Sequence, residues 1–402
     1  MSGPTESLDP ESLEEELAAL PLVDHHCHGL VTRDLDPTGF EALLTEADWP
    51  SAADRPGPLG GSLFDSQIGL ALRRWCAPVL DLAPHAPVAE YLARRAELGW
   101  AEVDRRMVAA TGIATFCVDT GYLPEPVTAP EELAALGGGT AGEVVRLEAV
   151  AEEVLGAGCS AAAFAGSFRA RLAERCTGAV GVKSIAAYRV GLDLDGARPD
   201  EAEVAAAAGA LLRAVDRGGR LRVADPVLHR FLVWCGVDLG LPVQFHVGYG
   251  DADVDLHRCD PLLLTGLLRA TAPTGVPVML LHNYPFHRNA GYLAQVFPHV
   301  FVDVGLATHN LGRRADVLLA ELLELAPFGK VLFSTDAFGL GELYLLAAAL
   351  FRRALGRLLA AGVADDDWTA ADALRIAAAI GSGNAVRAYR LGDRLGDRLG
   401  DR

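Results

Sequence analysis

The run Leu20-Pro21-Leu22-Val23-Asp24-His25-His26-Cys27-His28-Gly29 sets three histidines at the end of a short apolar stretch. Leu20 to Val23 predicts a buried strand, and Gly29 predicts the loop into which it empties. Strand side chains alternate between faces, so His26 and His28 point one way and His25 the other. Two imidazoles on one face, with a small residue between them, can share one metal ion. An isolated His-x-His is more often a pair of solvated loop histidines. That bland reading loses ground here because later strand-like runs also end in His, Lys or Asp. Cys27 faces away from any ion the two histidines hold and is read as packing.

Working outward, leucines at 8, 13, 17 and 20 with an acidic outer face predict an amphipathic helix over 8–20. Residues of about 30–108 show no good strand. They open with Pro- and Gly-rich loops around Trp49 to Gly61, and helical patterns follow at Ser62–Leu80 and Val88–Ala110. This stretch reads as a helical insertion or cap after the first strand. A regular alternation then sets in. Strand-like runs are Gly112–Val118, Val144–Leu147, Ala179–Ile185, Pro242–Val247, Pro277–Leu281, Val300–Val304 and Lys330–Ser334. Helix-like runs separate them at 150–175, 201–217, 226–238, 260–272, 313–325 and 341–361. With the first strand, the pattern predicts an α/β fold, a closed (β/α)8 TIM barrel over 1–389. The Arg-Leu-Gly-Asp repeat of 390–402 reads as a low-complexity, solvated tail.

Composition narrows the function classes. The 402 residues are 51% hydrophobic and 22% charged, enough to bury a large core. Length alone suggests two or three domains, but alternating barrels exceed that prior as single units. A net charge of −18 argues against nucleic acid or an anionic membrane surface as partner. No window is long and apolar enough to span a bilayer. The start, Met1-Ser2-Gly3-Pro4-Thr5-Glu6, lacks the basic and apolar segments of a signal peptide. Seven scattered cysteines without a Cys-x-x-Cys pair fit free thiols in a reducing cytoplasm. The partner expected is a small molecule; a homo-oligomer is left open, with no motif for one.

In such a barrel the active site lies at the C-terminal ends of the strands. The first strand ends on His26 and His28, the fourth carries Lys183, the fifth ends on His246, the sixth on His282 and the eighth on Asp336. A polar group left bare at the mouth of an apolar strand costs about 2–7 kcal/mol. A divalent metal would satisfy all of these at once. Zinc, manganese and iron suit the donors alike, with zinc foremost.

This set resembles the amidohydrolase superfamily, in its amidohydrolase-2 branch, over nearly the whole chain. The finer likeness is to the FluG-type or nodulin-like amidohydrolase domain, which in some proteins is fused to a glutamine-synthetase-like domain. It rests on Val23–Gly29, Gly181-Val-Lys-Ser-Ile-Ala-Ala-Tyr-Arg-Val-Gly-Leu192, Gln244-Phe-His-Val-Gly-Tyr-Gly-Asp251, His282-Asn-Tyr-Pro285 and Ser334-Thr-Asp-Ala-Phe-Gly339. The resemblance implies that His26, His28, His246 and Asp336 hold the more buried metal. It gives Asp336 the proton of the attacking water, and His282 either a second metal or the substrate.

Lys183 has two readings. Carboxylated by CO2, it bridges two metals, which is the favoured reading; as an ammonium, it binds a substrate carboxylate beside a single ion. Glu148 is a weaker alternative bridge, because Arg-Leu-Glu-Ala-Val also begins a helix. Arg189 and Tyr188, six and five residues beyond Lys183, are candidate substrate contacts, Arg because it grips carboxylates bidentately. Tyr249 in its Gly-Tyr-Gly-Asp loop and His287 after the sixth strand are others. The function implied is metal-dependent hydrolysis of a C–N (amide) bond, with a γ-glutamyl amide or similar small carboxylated molecule suggested by the fused relatives. The alternatives are a single-metal decarboxylase or lactone hydrolase of the same branch, and a barrel kept as a sensor or scaffold.

Overall fold

The computed structural model describes residues 16, 19–47, 62–122 and 124–395. Most of the helix expected over 8–20 and the loop around Trp49 to Gly61 lie outside them. Seven strands run parallel in chain order, each paired with the next. They are β1 (Leu22–Cys27), β2 (Ile113–Asp119), β3 (Thr140–Arg146), β4 (Gly181–Ser184), β5 (Val243–Val247), β6 (Val278–His282) and β7 (Val300–Val302). β1, β4, β5, β6 and β7 are buried at every position, as strands covered on both faces must be.

The stretch expected as the eighth strand closes the ring without forming a regular ladder. Val331 makes a parallel bridge to Val302, and Leu332 N–H donates to Val302 at 2.9 Å. On the other side, His25 N–H donates to Phe333 (3.1 Å) and Asp336 N–H to His26 (3.0 Å). Between them a side chain replaces the ladder. Asp24 accepts from Thr335 N–H (2.9 Å) and from its hydroxyl (2.6 Å). The fold is a TIM barrel whose last seam is sealed partly by a carboxylate.

Helices fill the connections. Between β1 and β2, apart from isolated bridges at Leu30 and Val31, the described residues form helices and loops, the helices including Gln67–Trp75, Val88–Leu98 and Trp100–Ala109, the last two parted at Gly99 with φ +74°. The single helix expected over 150–175 is two, Leu147–Gly156 and Phe164–Arg175, with a left-handed Gly158 in the break. Glu201–Asp216, Pro226–Asp238 and Gly341–Ala364 lie where periodicity puts them. All seven cysteines are free, and Cys27 Sγ faces the Cys117 carbonyl as packing. No helix among the described residues is long and apolar enough to cross a membrane.

The C-terminal segment departs from expectation. Leu391–Leu395 is helical and Leu391 is buried, so the expected solvated tail is folded at its start; residues 396–402 lie outside the described ones. Inward side chains of successive strands, including Val23, Val144, Met279, Leu281 and Phe301, pack on Tyr389 and Leu391. The Tyr389 hydroxyl meets His25 Nδ1 at 3.0 Å and accepts from Gln244 Nε2 at 2.8 Å. Asn384 donates to Phe328 and Val331, fastening this segment to the closing stretch. Tyr389→Ala should lower stability by about 3–5 kcal/mol in urea denaturation, from the lost ring and the cavity it leaves. Tyr389→Phe should lose about 1–3 kcal/mol by stranding the His25 and Gln244 partners. Equal stability of Tyr389→Ala and wild type would show that the plug contributes nothing.

Candidate metal centre

Ring closure carries His26 and Asp336 to the same place, since their backbones are hydrogen-bonded across the seam. Asp336 Oδ1 stands 3.0 Å from His26 Nε2 and 3.4 Å from His28 Nε2, and Oδ2 stands 3.4 Å from His282 Nδ1. Ligand atoms about 2.0–2.1 Å from a tetrahedral ion are about 3.3 Å from one another. The observed separations match that edge. Among the described residues, two sets of donors come close enough to hold an ion, His26 with His282 and Asp336, and His26 with His28 and Asp119.

Unused lone pairs test the fit further. His26 Nδ1 and both ring nitrogens of His282 are buried and make no hydrogen bond among the described residues. Buried polar atoms without partners are costly unless something else satisfies them. His28 Nδ1 lies 3.2 Å from the Asp119 carbonyl, which fixes the ring and leaves Nε2 toward Asp336. Burial keeps His26 and His246 far below the ordinary histidine pKa and lowers His282 to about 4, so all three are neutral, the form that ligates. Burial works against the Asp336 charge, yet the neighbouring His282 and hydrogen bonds from His26 and His28 hold its pKa well below the usual carboxylate range. The residues present fit a divalent ion.

Lys183 enters from β4. Its Nζ is 2.8 Å from His26 Nε2 and 3.6 Å from Asp119 Oδ2, in full burial. Burial lowers its pKa, against the pull of Asp119 and Asp336. The His246 ring lies tilted against those of Tyr188 (centroids 4.4 Å apart) and His282 (4.9 Å), with Nε2 on the Tyr249 carbonyl at 3.1 Å. It borders the cluster without joining either set of donors.

A cavity of ≈450 Å³ opens over these residues, lined among others by His28, Lys183, Tyr188, Arg189, His246 and Asp336. Arg189 reaches it while its Nη1 is paired with Glu152 at 2.9 Å. Two expected substrate contacts lie elsewhere. His287 is not in the lining, because Nε2 is held by Glu321 at 2.7 Å. Tyr249 is also outside it, packed on Tyr284 while its carbonyl serves His246. Glu148 makes no bridge to the cluster. It accepts from Ser184 Oγ (2.7 Å) and Ile185 N–H (2.9 Å) and faces His229 (3.2 Å), so it braces the end of β4. His25 takes no part, its nitrogens being used by Tyr389 and Asp303.

Sequence reading missed Asp119 and Arg146, which end β2 and β3. Arg146 Nη2 binds Asp119 Oδ2 at 2.5 Å, with the carboxylate fully buried. Burial opposes the Asp119 charge, but Arg146 and Lys183 outweigh it and hold the pKa far below normal. Extending the second run by one residue would have reached Asp119. His309, buried on the helix after β7 and lining the cavity, gave no signal at all.

The chain matches the amidohydrolase family over residues 144–391, more than half its length. It belongs to that family. It is 33% identical to Protein fluG of Emericella nidulans over 226 residues, 53% of this chain and 26% of that one, so it spans about a quarter of that relative. Among solved structures, one described as a candidate metal-dependent hydrolase from Lactobacillus casei ATCC 334 superposes with a TM-score of 0.80 at 31% identity, over 95% of this chain and 98% of the other. A uronate isomerase from Bacillus halodurans C-125 (TM-score 0.62, 12% identity, 96% and 97% covered) shares the fold. So does a glucuronate isomerase from Caulobacter crescentus (0.62, 16%, 96% and 95%). The amidohydrolase chain is thus an enzyme, a metal-dependent hydrolase.

Removing the buried cation tests the electrostatics. Arg146→Ala leaves Asp119 with only the more distant Lys183, at 3.6 Å, and should cost about 3–5 kcal/mol in urea denaturation. A change under about 1 kcal/mol would mean that Lys183 alone neutralises Asp119.

Proposed function

We propose that this amidohydrolase cleaves the C–N bond of a small carboxylated amide, a γ-glutamyl amide or close analogue, in the cavity over Asp336. The observation that carries the reading is the convergence of three histidines on the two oxygens of Asp336, at separations suited to an ion. His26, His28, His246, His282 and Asp336 would hold one or two divalent ions, zinc suiting the donors best. An ion there would supply Lewis acidity and lower the pKa of a bound water to about 7. Asp336, kept ionised, accepts the proton of the attacking water and returns it to the leaving nitrogen as the C–N bond breaks. The products are a carboxylate and an amine. His282 is close enough to Asp336 to orient the carbonyl. Tyr188 and Arg189 face the cavity and would take the substrate carboxylate, Arg189 despite its bond to Glu152. The γ-glutamyl preference rests on the resemblance to FluG-type domains and on nothing in the cavity wall. Free thiols fit a cytoplasmic enzyme.

Lys183 separates two forms of the reading. Its burial and lowered pKa favour the neutral amine that CO2 carboxylates, giving a carbamate bridge between two ions. Asp119 at 3.6 Å favours an ammonium beside one ion, and with it the decarboxylase or lactone-hydrolase alternative.

Metal content per chain, by elemental mass spectrometry of protein prepared without chelator, decides between them. Two ions, with a carbamate carbonyl in 13C NMR after growth in labelled bicarbonate, are expected; one ion and no carbamate would favour the alternative. His26→Ala and Asp336→Ala should each lower amide turnover at least about 1,000-fold while circular dichroism stays unchanged. Full activity in either variant, or no metal after adding metal and bicarbonate, would sink the assignment.

A further inference from the structure

The C-terminal end of β7 leads into a carboxylate that takes no part in the chemistry above and does not line the cavity. Asp303 is fully buried. Its Oδ1 accepts three hydrogen bonds, from His282 N–H at 3.0 Å, Gly305 N–H at 2.7 Å and the Ser334 hydroxyl at 2.9 Å. Its Oδ2 faces His25 Nε2 at 3.0 Å. Its backbone carbonyl accepts from Asn283 Nδ2 at 2.9 Å. Apart from Gly305, two residues on in the same segment, these partners belong to the ends of β1 and β6 and to the closing stretch. His25 precedes His26, His282 is itself in the cluster, and Ser334 lies two residues before Asp336.

The backbone explains why such a hub is needed. His282, Asn283 and Asp336 have φ of +69°, +59° and +51°, a region that non-glycine residues avoid unless their surroundings dictate it. Asp303 grips the N–H of the first of these and, through Ser334, the approach to the last. One oxygen taking three donors is an arrangement a carboxylate sustains better than a neutral amide.

We propose that Asp303 is a positioning residue for the metal centre: one buried carboxylate sets the strand ends of His26, His282 and Asp336 so that their donor atoms meet. The inference rests on the reading that those residues hold an ion. It also makes the C-terminal segment part of the site's support, since Tyr389 holds the other nitrogen of the His25 ring that Asp303 binds.

The test uses the full chain and Co(II), whose visible absorption reports ligand geometry. Affinity is measured by competition with a chelator. Asp303→Asn, which keeps shape and volume, is expected to weaken Co(II) binding about 10–100-fold and to alter the absorption bands, with the far-UV spectrum intact. Ser334→Ala removes one bond of the hub and is expected to weaken binding about 2–10-fold. Unchanged affinity and bands in Asp303→Asn, with wild type binding normally, would overturn the proposal. If Asp303→Asn does not fold, unchanged binding in Ser334→Ala overturns it instead. Failure of wild-type protein to bind Co(II) at all would overturn the metal-site reading, and this inference with it.

Discussion

The contact between His26 Nε2 and Asp336 Oδ1, 3.0 Å across the last seam of the barrel, is the interaction on which the rest depends. It joins the first strand to the last stretch of the ring, so it exists only when the ring is closed. The same closure sets His28 beside Asp336 and draws in Lys183 from β4 and His282 from β6. A parallel barrel reaches this state by pairing each strand with its predecessor and then joining the last to the first. Where the final pairing is too short for a ladder, Asp24 binds Thr335 and completes it.

Burying so many ionisable groups at strand ends calls for internal compensation, and the structure supplies it in layers. Asp119 is neutralised by Arg146, with Lys183 nearby. Glu148 is paired with His229 and bonded to Ser184, behind the strand that carries Lys183. Asp303 collects four donors and Tyr389 two more partners below it. Each layer satisfies groups that would otherwise favour unfolding by several kcal/mol. Among the buried nitrogens left without hydrogen bonds are His26 Nδ1 and both ring nitrogens of His282, at the centre of the cluster. Supporting groups thus hold the candidate donors in place, with lone pairs that an ion would use under the proposed reading.

Chemistry and cavity shape meet on one face. The carboxylate and histidines sit at the cavity floor, and the loops after β4 and β5 supply its wall with Tyr188, Arg189 and Asp251. That division between a rigid floor and a variable wall is how one barrel serves many substrates. It also explains why family membership fixes the kind of enzyme here more firmly than its substrate.

The sequence by itself determined the order of the elements and the residues at the strand ends. Alternation of strand and helix periods, with His, Lys or Asp closing apolar runs, is local information that needs no tertiary contact to be legible. Tertiary structure alone decided which of those residues meet. Asp119 and Arg146 look like ordinary surface charges in sequence, and become an ion pair only because β2 and β3 are neighbours. His287 and Glu148 looked available, and were claimed by Glu321 and by Ser184 with His229. The repeat after Arg390 looked soluble, yet Leu391 is buried because the barrel floor offers an apolar surface to cover. Period and pattern act over a few residues, whereas partnership is set by the closing of the ring, and only the closed ring contains it.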